Sequence, residues 1–209
     1  MEFGLSDEQK MLDDSVRKFL SSEVSIDVIR DVCAQHSTDG AAWQSLVAMG
    51  LSGILIDESQ GGAGLGMLDA MVVSEALGYA ACPGPFLSSS IMAAHYLSVV
   101  GDSDSLTGIA SGQHRVGIAF GALTGDRSRD VVREERGRLE GRSLFALDAD
   151  ASAYLVATAE GTVYWVDTAD LSRRALPTID GTRSICELVF DTTPANRLSD
   201  DETIALATL

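Results

Sequence analysis

The chain has 209 residues, of which 45% are hydrophobic and 22% charged, and its formal net charge is -16. This length and composition predict one large or two small globular domains, and so negative a surface repels a phosphate backbone, which excludes nucleic acid as an expected partner. No uncharged apolar run reaches the roughly 18 residues of a membrane span, and MEFGLSDEQK lacks the basic and apolar regions of a secretory signal, so a cytoplasmic protein is expected.

Helical spacing of apolar residues runs through the first half of the chain. Ser6 and Gln9 lie three residues apart at the start of SDEQKMLDDSVRKFL, a spacing that lets each side chain bond an orphan amide of the first turn. Apolar residues then recur every three or four positions, which predicts a first helix. A second helix is predicted over residues 26–34, and a third runs from an Asp39 cap to Gly50, a residue able to adopt a left-handed stop.

A fourth helix is predicted in MLDAMVVSEALGYA. Its apolar residues at helical spacing form one stripe that we expect to be buried, namely Leu68, Met71, Val72, Ala76 and Tyr79. Pro83 and Pro85 in CPGPF remove two amide donors and end this helix. The segments LSSSIMAAHYLSVV and DSDSLTGIA then complete a helical domain over residues 1–113.

The stretch DESQGGAGLG, residues 57–66, has four glycines directly after the apolar run LSGILI. Gly62 and Gly64 match the first two positions of the dinucleotide fingerprint G-x-G-x-x-G, but its third position is Met67. No lysine follows Lys18, so a phosphate-binding P-loop is also unsupported. The stretch is therefore interpreted as a tight turn, whose glycines supply positive φ and lay the next helix against the preceding apolar segment.

From about residue 115 the pattern changes to short β-rich runs separated by Gly, Asp and Pro. No helical pattern of about ten residues intervenes between them, which argues against parallel βαβ units. The sequence therefore predicts an α+β protein, with an antiparallel β-barrel of about six strands over residues 114–197. The predicted strand segments are RVGIAFGAL, DVVREERGRLEG, SLFALD, AYLVATA, TVYWVD and SICELVFD.

The final segment, residues 198–209, reads LSDDETIALATL. Ser199 and Glu202 have capping-box spacing, with acidic residues in the first turn where the helix dipole favours them. An isolated helix this short is marginal in water, so we expect that the segment begins a third, helical region of a longer parent protein.

Side chains that could act in catalysis, metal binding or anion binding are scattered along the sequence. The cysteines are predicted to be buried reduced thiols and the histidines to be structural, with no metal-ligand spacing among them: Cys33, Cys82, Cys186, His36, His95 and His114. Acidic residues alternate with a group of arginines around a predicted hairpin, which favours a solvated sheet edge over an anion site: Arg127, Arg129, Arg133, Arg136 and Arg138. No catalytic acid and base can be selected among the many carboxylates.

The ordered set of segments resembles a known family. Residues 49–89, MGLSGILIDESQGGAGLGMLDAMVVSEALGYAACPGPFLSS, resemble the amino-terminal helical domain of the acyl-CoA dehydrogenases, including a Glu-x-Leu-Gly core at Glu75, Leu77 and Gly78. FGALTGD, LEGRSLFALDADASAYLVATA and LPTIDGTRSICELVFDTTPA resemble the successive strands of that family's middle β domain. The resemblance covers nearly the whole chain in the correct order.

This resemblance implies an FAD enzyme that removes two hydrogens from the α and β carbons of an acyl-CoA thioester. The implied fold is a helical domain, a β-barrel and a four-helix bundle, assembled as a homo- or hetero-oligomer, with electron-transfer flavoprotein as the electron acceptor. In the family the glycine turn is architectural, and the catalytic glutamate lies in the carboxy-terminal bundle. No catalytic residue is therefore assigned within these 209 residues.

The resemblance implies that four positions of this sequence bind the cofactor. Leu123 and Thr124 match the end of the family's first flavin-contacting strand, although Gly-Asp replaces the usual Glu-Pro after them. Phe145 matches the aromatic residue beside the isoalloxazine, and Leu147 stands where the family usually has threonine. An unmet polar partner costs about 1 to 3 kcal/mol, so flavin binding is expected to be weaker than is usual for the family.

Three interpretations follow. The chain is a flavin-dependent acyl-CoA dehydrogenase or part of one, or it is a catalytically silent subunit that completes an active partner in a mixed assembly. The third is an acidic binding module of another family. The identity of the acyl group is not given by the sequence.

Overall fold

The computed structural model describes residues 4–35, 40–124 and 131–209. The α-helices are α1 (Asp7–Glu23), α2 (Ile26–Gln35), α3 (Ala41–Ala48), α4 (Met67–Tyr79), α5 (Ala94–Val100), α6 (Ser103–Ala110), α7 (Gly121–Thr124) and α8 (Glu202–Thr208), with a π-helix over Phe86–Ala93 and 3-10 turns at Leu51–Gly53, Glu58–Gln60 and Thr168–Asp170. The strands are β1 (Val116–Ala119), β2 (Val131–Glu135), β3 (Arg138–Leu147), β4 (Ala153–Ala157), β5 (Val163–Asp167), β6 (Ser172–Leu176), β7 (Ile185–Pro194) and β8 (Asn196–Ser199).

The first helix begins as its local sequence predicts. Ser6 Oγ accepts a hydrogen bond from the Gln9 amide at 3.2 Å, and Gln9 Oε1 accepts one from the Ser6 amide at 3.0 Å, so the capping box is confirmed. The helix buries Val16 and Leu20 against α4. Gly50, after α3, has a φ of 78° and confirms the predicted left-handed stop, whereas Asp39 lies outside the described residues.

The predicted stripe of α4 is partly wrong. Val72 and Ala76 are buried, but Leu68, Met71 and Tyr79 are exposed, Tyr79 to 87%. The buried positions instead include Ala70, Val73 and Leu77. Because α4 is apolar nearly all round, its own spacing does not decide which face packs, and contact with α1 and the neighbouring core does.

The glycine stretch is an architectural turn, as predicted. Gly61 and Gly64 have φ values of 81° and 63°, and a Cβ added at Gly62 would lie 2.1 Å from the Ile56 carbonyl oxygen. The Leu65 amide then donates to the Ile54 carbonyl at 2.9 Å. The chain thereby folds back along its preceding apolar segment before α4 begins, where a side chain at Gly62 would not fit.

The second half is a single sheet with the order β6-β7-β3-β1-β4-β5-β8, and β2 pairs with β3. The predicted antiparallel barrel needs two corrections. The β1 and β4 strands are parallel, with Val116 opposite Ala153 and Ala119 opposite Val156, while the other pairs are antiparallel. The sheet is also open, because β6 and β8 stand at its two ends.

The described part of the connection between the parallel strands β1 and β4 contains the short helix α7 and the β2–β3 hairpin. The β2–β3 hairpin lies between β1 and β4 in the chain, and β3 pairs antiparallel with β1 on one side. The chain then returns to place β4 on the other side of β1. The hairpin therefore forms much of the long connection that a parallel pair needs. The short strands β6 and β8 have no counterpart among the predicted segments.

The largest hydrophobic core lies between the last helices of the first half and one face of the sheet. Tyr96, Leu97 and Ile109 pack there with Leu155 and Trp165, together with other buried residues of both halves. The helical layer and the sheet therefore share one core. Among the described helices, none has the length and apolar character to cross a membrane.

The last helix, α8, also joins this core through the buried Ala205. Its cap differs from the prediction, because Asp201 and not Ser199 caps it. Asp201 Oδ1 accepts a hydrogen bond from the Thr203 amide at 3.0 Å, whereas Ser199 Oγ accepts from the Asp201 amide at 3.1 Å. The strand β8 reaches Ser199, so the helix starts later than its capping-box spacing indicates.

Candidate functional site

A cavity of about 390 Å³ lies where the helical layer meets the sheet, and we call it the junction cavity. Its lining comes from α3, α4, the segment 82–88, the end of β3 and residues 183–185. Trp43, Leu77 and Phe86 give it a largely apolar wall. Such a cavity suits an apolar group that carries a few polar atoms.

The proline-rich segment after α4 forms one wall of the junction cavity. The Cys82 amide donates to the Leu77 carbonyl at 2.9 Å, and Gly84 follows with a φ of 134°. The π-helix that then begins is tied to the sheet, because Ser89 Oγ accepts a hydrogen bond from the Val116 amide at 3.1 Å. This anchor fixes Leu87 at the cavity, where it stays 60% exposed.

A buried ion pair holds the opposite wall. Arg115 donates from Nε and Nη2 to the two carboxylate oxygens of Asp148 at 2.6 and 2.5 Å. Asp148 directly follows β3, has a φ of 71°, and accepts a further hydrogen bond on its carbonyl from the Tyr154 hydroxyl at 2.6 Å. Burial raises the pKa of Tyr154, so this hydroxyl stays protonated and donates.

Phe145 and Leu147 lie just before this ion pair. Phe145 falls in a bulge of the β3–β7 ladder between Ser143 and Ala146, has a φ of 57°, and is 65% exposed. A positive φ is unfavourable for an aromatic residue, and such positions concentrate at functional sites. Leu147 is half-buried, lines the junction cavity and lies opposite Ile118 of β1.

Leu123 and Thr124 belong to the short helix α7 and not to a strand as predicted. The chain turns at Phe120, whose carbonyl accepts a hydrogen bond from the Leu123 amide at 2.9 Å. Leu123 is half-buried against the largest core, and α7 packs on β3. The structure therefore places both pairs of predicted residues on neighbouring elements; Gly125 and Asp126 lie outside the described residues.

The other potentially reactive side chains that the structure describes, cysteines and histidines, lie in structural surroundings. Cys82 and Cys186 are buried and Cys33 is half-buried, and burial raises the pKa of Cys82 to about 11. His114 packs edge-to-face on Trp165 at 5.5 Å between ring centroids, and His36 is not among the described residues. Over residues 4–35, 40–124 and 131–209, no cluster of three His, Cys, Asp or Glu side chains is arranged for a metal ion.

The described part of the charged hairpin is a solvated edge, as predicted. Arg133, Arg136 and Arg138 are exposed on β2, the turn and β3, and Arg138 donates to the Thr192 carbonyl at 2.9 Å. Arg127 and Arg129 lie outside the described residues.

Two features of the site were missed by sequence reasoning: the Arg115–Asp148 pair and Arg183. The first joins residues 33 positions apart, and nothing in the local sequence of either residue marks the other as its partner. Arg183 follows a Gly-Thr step in the β6–β7 loop, which is an ordinary turn signal.

The structure thus belongs to the class in which a helical layer packs on an open β-sheet and leaves an apolar cavity at their junction. Residues 6–105 match the family of the acyl-CoA dehydrogenase N-terminal domain. The resemblance noted in the sequence is therefore confirmed over those residues.

Individual relatives agree with this assignment. The acyl-CoA dehydrogenase IpdE2 of Mycolicibacterium smegmatis is 26% identical over 203 residues, which cover 96% of this chain and 57% of the relative. The ChsE4–ChsE5 complex from Mycobacterium tuberculosis contains a chain of the same fold, with a TM-score of 0.85 at 23% identity, covering 100% of this chain and 61% of that one. A glutaryl-coenzyme A dehydrogenase in complex with glutaryl-CoA has a TM-score of 0.80 at 17% identity over 100% of this chain and 61% of its own. The chain therefore spans less than two thirds of these proteins.

Proposed function

We propose that the chain supplies the acyl-CoA-facing and flavin-facing surfaces of an FAD-dependent acyl-CoA dehydrogenase, an oxidoreductase that forms an α,β double bond in an acyl-CoA thioester. The observation that supports this most directly is the geometry of β3. Leu147 lines the apolar junction cavity, and Phe145, two residues earlier, is exposed at a left-handed backbone position. One strand thus joins a cavity for an apolar acyl group to an aromatic surface for a planar ring.

The residues present fit a flavin in part. The exposed ring of Phe145 offers a flat apolar wall of the kind that stacks against another ring. Leu123 and Thr124 would lie beside the flavin because α7 packs on β3. Leu147 has no hydrogen-bonding side-chain atom, so the polar edge of the ring would depend on backbone groups and on protein outside these residues.

FAD, when bound, supplies the hydride acceptor for this reaction class. The chain's own part is to bind and orient. The apolar walls of Trp43, Leu77 and Phe86 would exclude water from the acyl group. The Arg115–Asp148 pair would hold the backbone after β3 in place, so that Phe145 and Leu147 keep a fixed spacing.

The proposal is tested by reconstituting the purified chain with FAD and measuring flavin absorbance after removal of free cofactor. Phe145→Ala should lower flavin retention by about tenfold, the effect of losing roughly 1.4 kcal/mol of ring contact. Tyr79→Ala is the matched control, because Tyr79 is an exposed aromatic residue on α4, outside the site. Equal retention by the two variants would contradict the assignment of Phe145.

A second candidate function is a silent subunit that completes an active partner in a mixed assembly. It is favoured by the apolar Leu147 at a position where the family usually offers a hydroxyl, and by the fold shared with a chain of the two-component ChsE4–ChsE5 complex. Copurification with a second acyl-CoA dehydrogenase chain separates the two functions. A preparation that is colourless alone and yellow only with the second chain favours the silent subunit, and reduction of electron-transfer flavoprotein by acyl-CoA then tests the assembled enzyme.

A further inference from the structure

Arg183 is the only basic side chain in the lining that the described residues give the junction cavity. It lies in the loop between β6 and β7, on the sheet side of the cavity. Its Nη1 donates a hydrogen bond to the Cys82 carbonyl oxygen at 3.2 Å, which bridges the cavity from the sheet to the helical layer. This bond uses one of the five guanidinium N–H donors.

The carboxylates around the cavity are engaged with other groups. Asp148, the acidic residue of the lining, is bound to Arg115 through both of its oxygens. Asp180, in the same loop, accepts hydrogen bonds from the Thr182 amide at 2.9 Å and hydroxyl at 2.6 Å, and these bonds, together with the charge of Arg183, lower the pKa of its carboxyl. Over the part of the chain that the structure describes, no carboxylate lies within ion-pairing distance of the Arg183 guanidinium.

In this chain of 31 acidic and 15 basic residues, other arginines also bind backbone carbonyls, as Arg138 and Arg173 do. Arg17, Arg174 and Arg197 instead each form an ion pair with a neighbouring carboxylate, and the pair is exposed for Arg197 and partly buried for the other two. What distinguishes Arg183 is its place in the fold. Its exposed side chain lines a largely apolar cavity, so it can donate an ionic hydrogen bond to a ligand bound there.

We propose that Arg183 binds an oxyanion of the acyl-CoA ligand at the junction cavity, an inference that rests on the proposed function. The oxyanion is either a carboxylate carried by the acyl group or a phosphate of the CoA portion, since a guanidinium recognises both through the same paired N–H donors. The bond to Cys82 holds the side chain across the cavity before the ligand arrives, so less side-chain freedom is lost on binding.

The experiment measures binding of three probes by calorimetry: pentanoyl-CoA, glutaryl-CoA, which has the same number of acyl carbons and a terminal carboxylate, and free CoA. If the anion is the acyl carboxylate, Arg183→Gln should lower the affinity for glutaryl-CoA alone by about tenfold to a hundredfold. If the anion is a CoA phosphate, it should lower the affinity for all three probes. Arg183→Lys, which keeps the charge but not the fork, should recover part of the loss. Arg197→Gln is the matched control, because it removes the same charge from an exposed ion pair outside the cavity lining.

Salt dependence separates recognition from a purely structural role. Affinity of the wild-type chain for the responding probe should fall as NaCl rises, and Arg183→Gln should remove most of that dependence. If Arg183→Gln weakens every probe but keeps the wild-type salt dependence, Arg183 only holds its loop to Cys82 and the inference is overturned. Binding that is unaffected by Arg183→Gln overturns the inference alone, whereas failure of the wild-type chain to bind any probe overturns the proposed function with it.

Discussion

Arg115 and Asp148 form a nearly fully buried ion pair, with nitrogen–oxygen distances of 2.6 and 2.5 Å. Arg115 precedes β1 and Asp148 follows β3, so the pair joins the ends of two neighbouring antiparallel strands. Asp148 directly follows Leu147, so the pair lies at the end of β3 that carries Phe145 and Leu147. The ion pair therefore links the stability of the sheet to the geometry of the candidate site.

Breaking this pair should destabilise the protein strongly. Asp148→Asn removes the carboxylate that accepts from both Nε and Nη2 of the buried Arg115 and leaves Asp150, at 3.7 Å, as an ionic partner, so we expect a loss of about 3 kcal/mol in the free energy of unfolding. Urea unfolding followed by circular dichroism measures it. Asp200→Asn is the control, because it breaks the exposed pair with Arg197 and should change stability little. Similar losses in the two variants would show that burial of the Arg115–Asp148 pair has no energetic consequence.

The same substitution at two glycines should have opposite effects. Gly62→Ala places a Cβ 2.1 Å from the Ile56 carbonyl oxygen, and the required backbone shift should cost about 3 kcal/mol or more. Gly78→Ala lies within α4 with no atom within 4 Å of the new Cβ, and it should stabilise the helix by about 1 kcal/mol. Thermal unfolding midpoints of the two variants against wild type check both signs. A Gly62→Ala variant as stable as wild type would mean that the turn tolerates a side chain there.

The backbone at Phe145 should show its strain through a pair of variants. At a φ of 57°, glycine avoids a steric penalty that alanine keeps, so Phe145→Gly should be more stable than Phe145→Ala by about 1 kcal/mol. Both variants lack the ring, so both should retain less flavin than wild type. Denaturant midpoints and flavin retention are measured on the same preparations. A Phe145→Gly variant less stable than Phe145→Ala would show that the left-handed conformation is absent in solution.

Stability should decline at alkaline pH because of the buried thiol of Cys82. Burial raises the pKa of this thiol from 9.0 to about 11 in the folded chain, so the unfolded chain loses the proton first. The stabilisation is therefore complete below pH 9 and is lost as the pH rises to about 11. Urea midpoints across this range should fall less steeply in Cys82→Ala than in Cys33→Ala, whose thiol is half-buried. Identical slopes in both variants would assign the alkaline decline to other groups.

Several features could be predicted because they depend on residues close together in the chain. The Ser6–Gln9 capping box, the left-handed Gly50 and the turn around Gly62 are each satisfied within about ten residues. The β2–β3 hairpin is local in the same sense. By contrast, the spacing predicts Ser199 as the cap of α8, although Asp201 is also a suitable cap residue. Only the extent of β8, which includes Ser199, shows that Asp201 is the cap.

What the sequence by itself determined was the change from a helical first half to a β-rich second half, the architectural glycine turn, and through these the resemblance to the acyl-CoA dehydrogenases. Only the tertiary structure decided which face of α4 is buried, that β1 and β4 run parallel in an open sheet, and that Arg183 reaches Cys82 across the cavity. The physical reason is separation along the chain. Capping and turn hydrogen bonds close over a few residues, whereas the Arg183–Cys82 bond joins positions 101 residues apart and exists only once the helices have packed on the sheet.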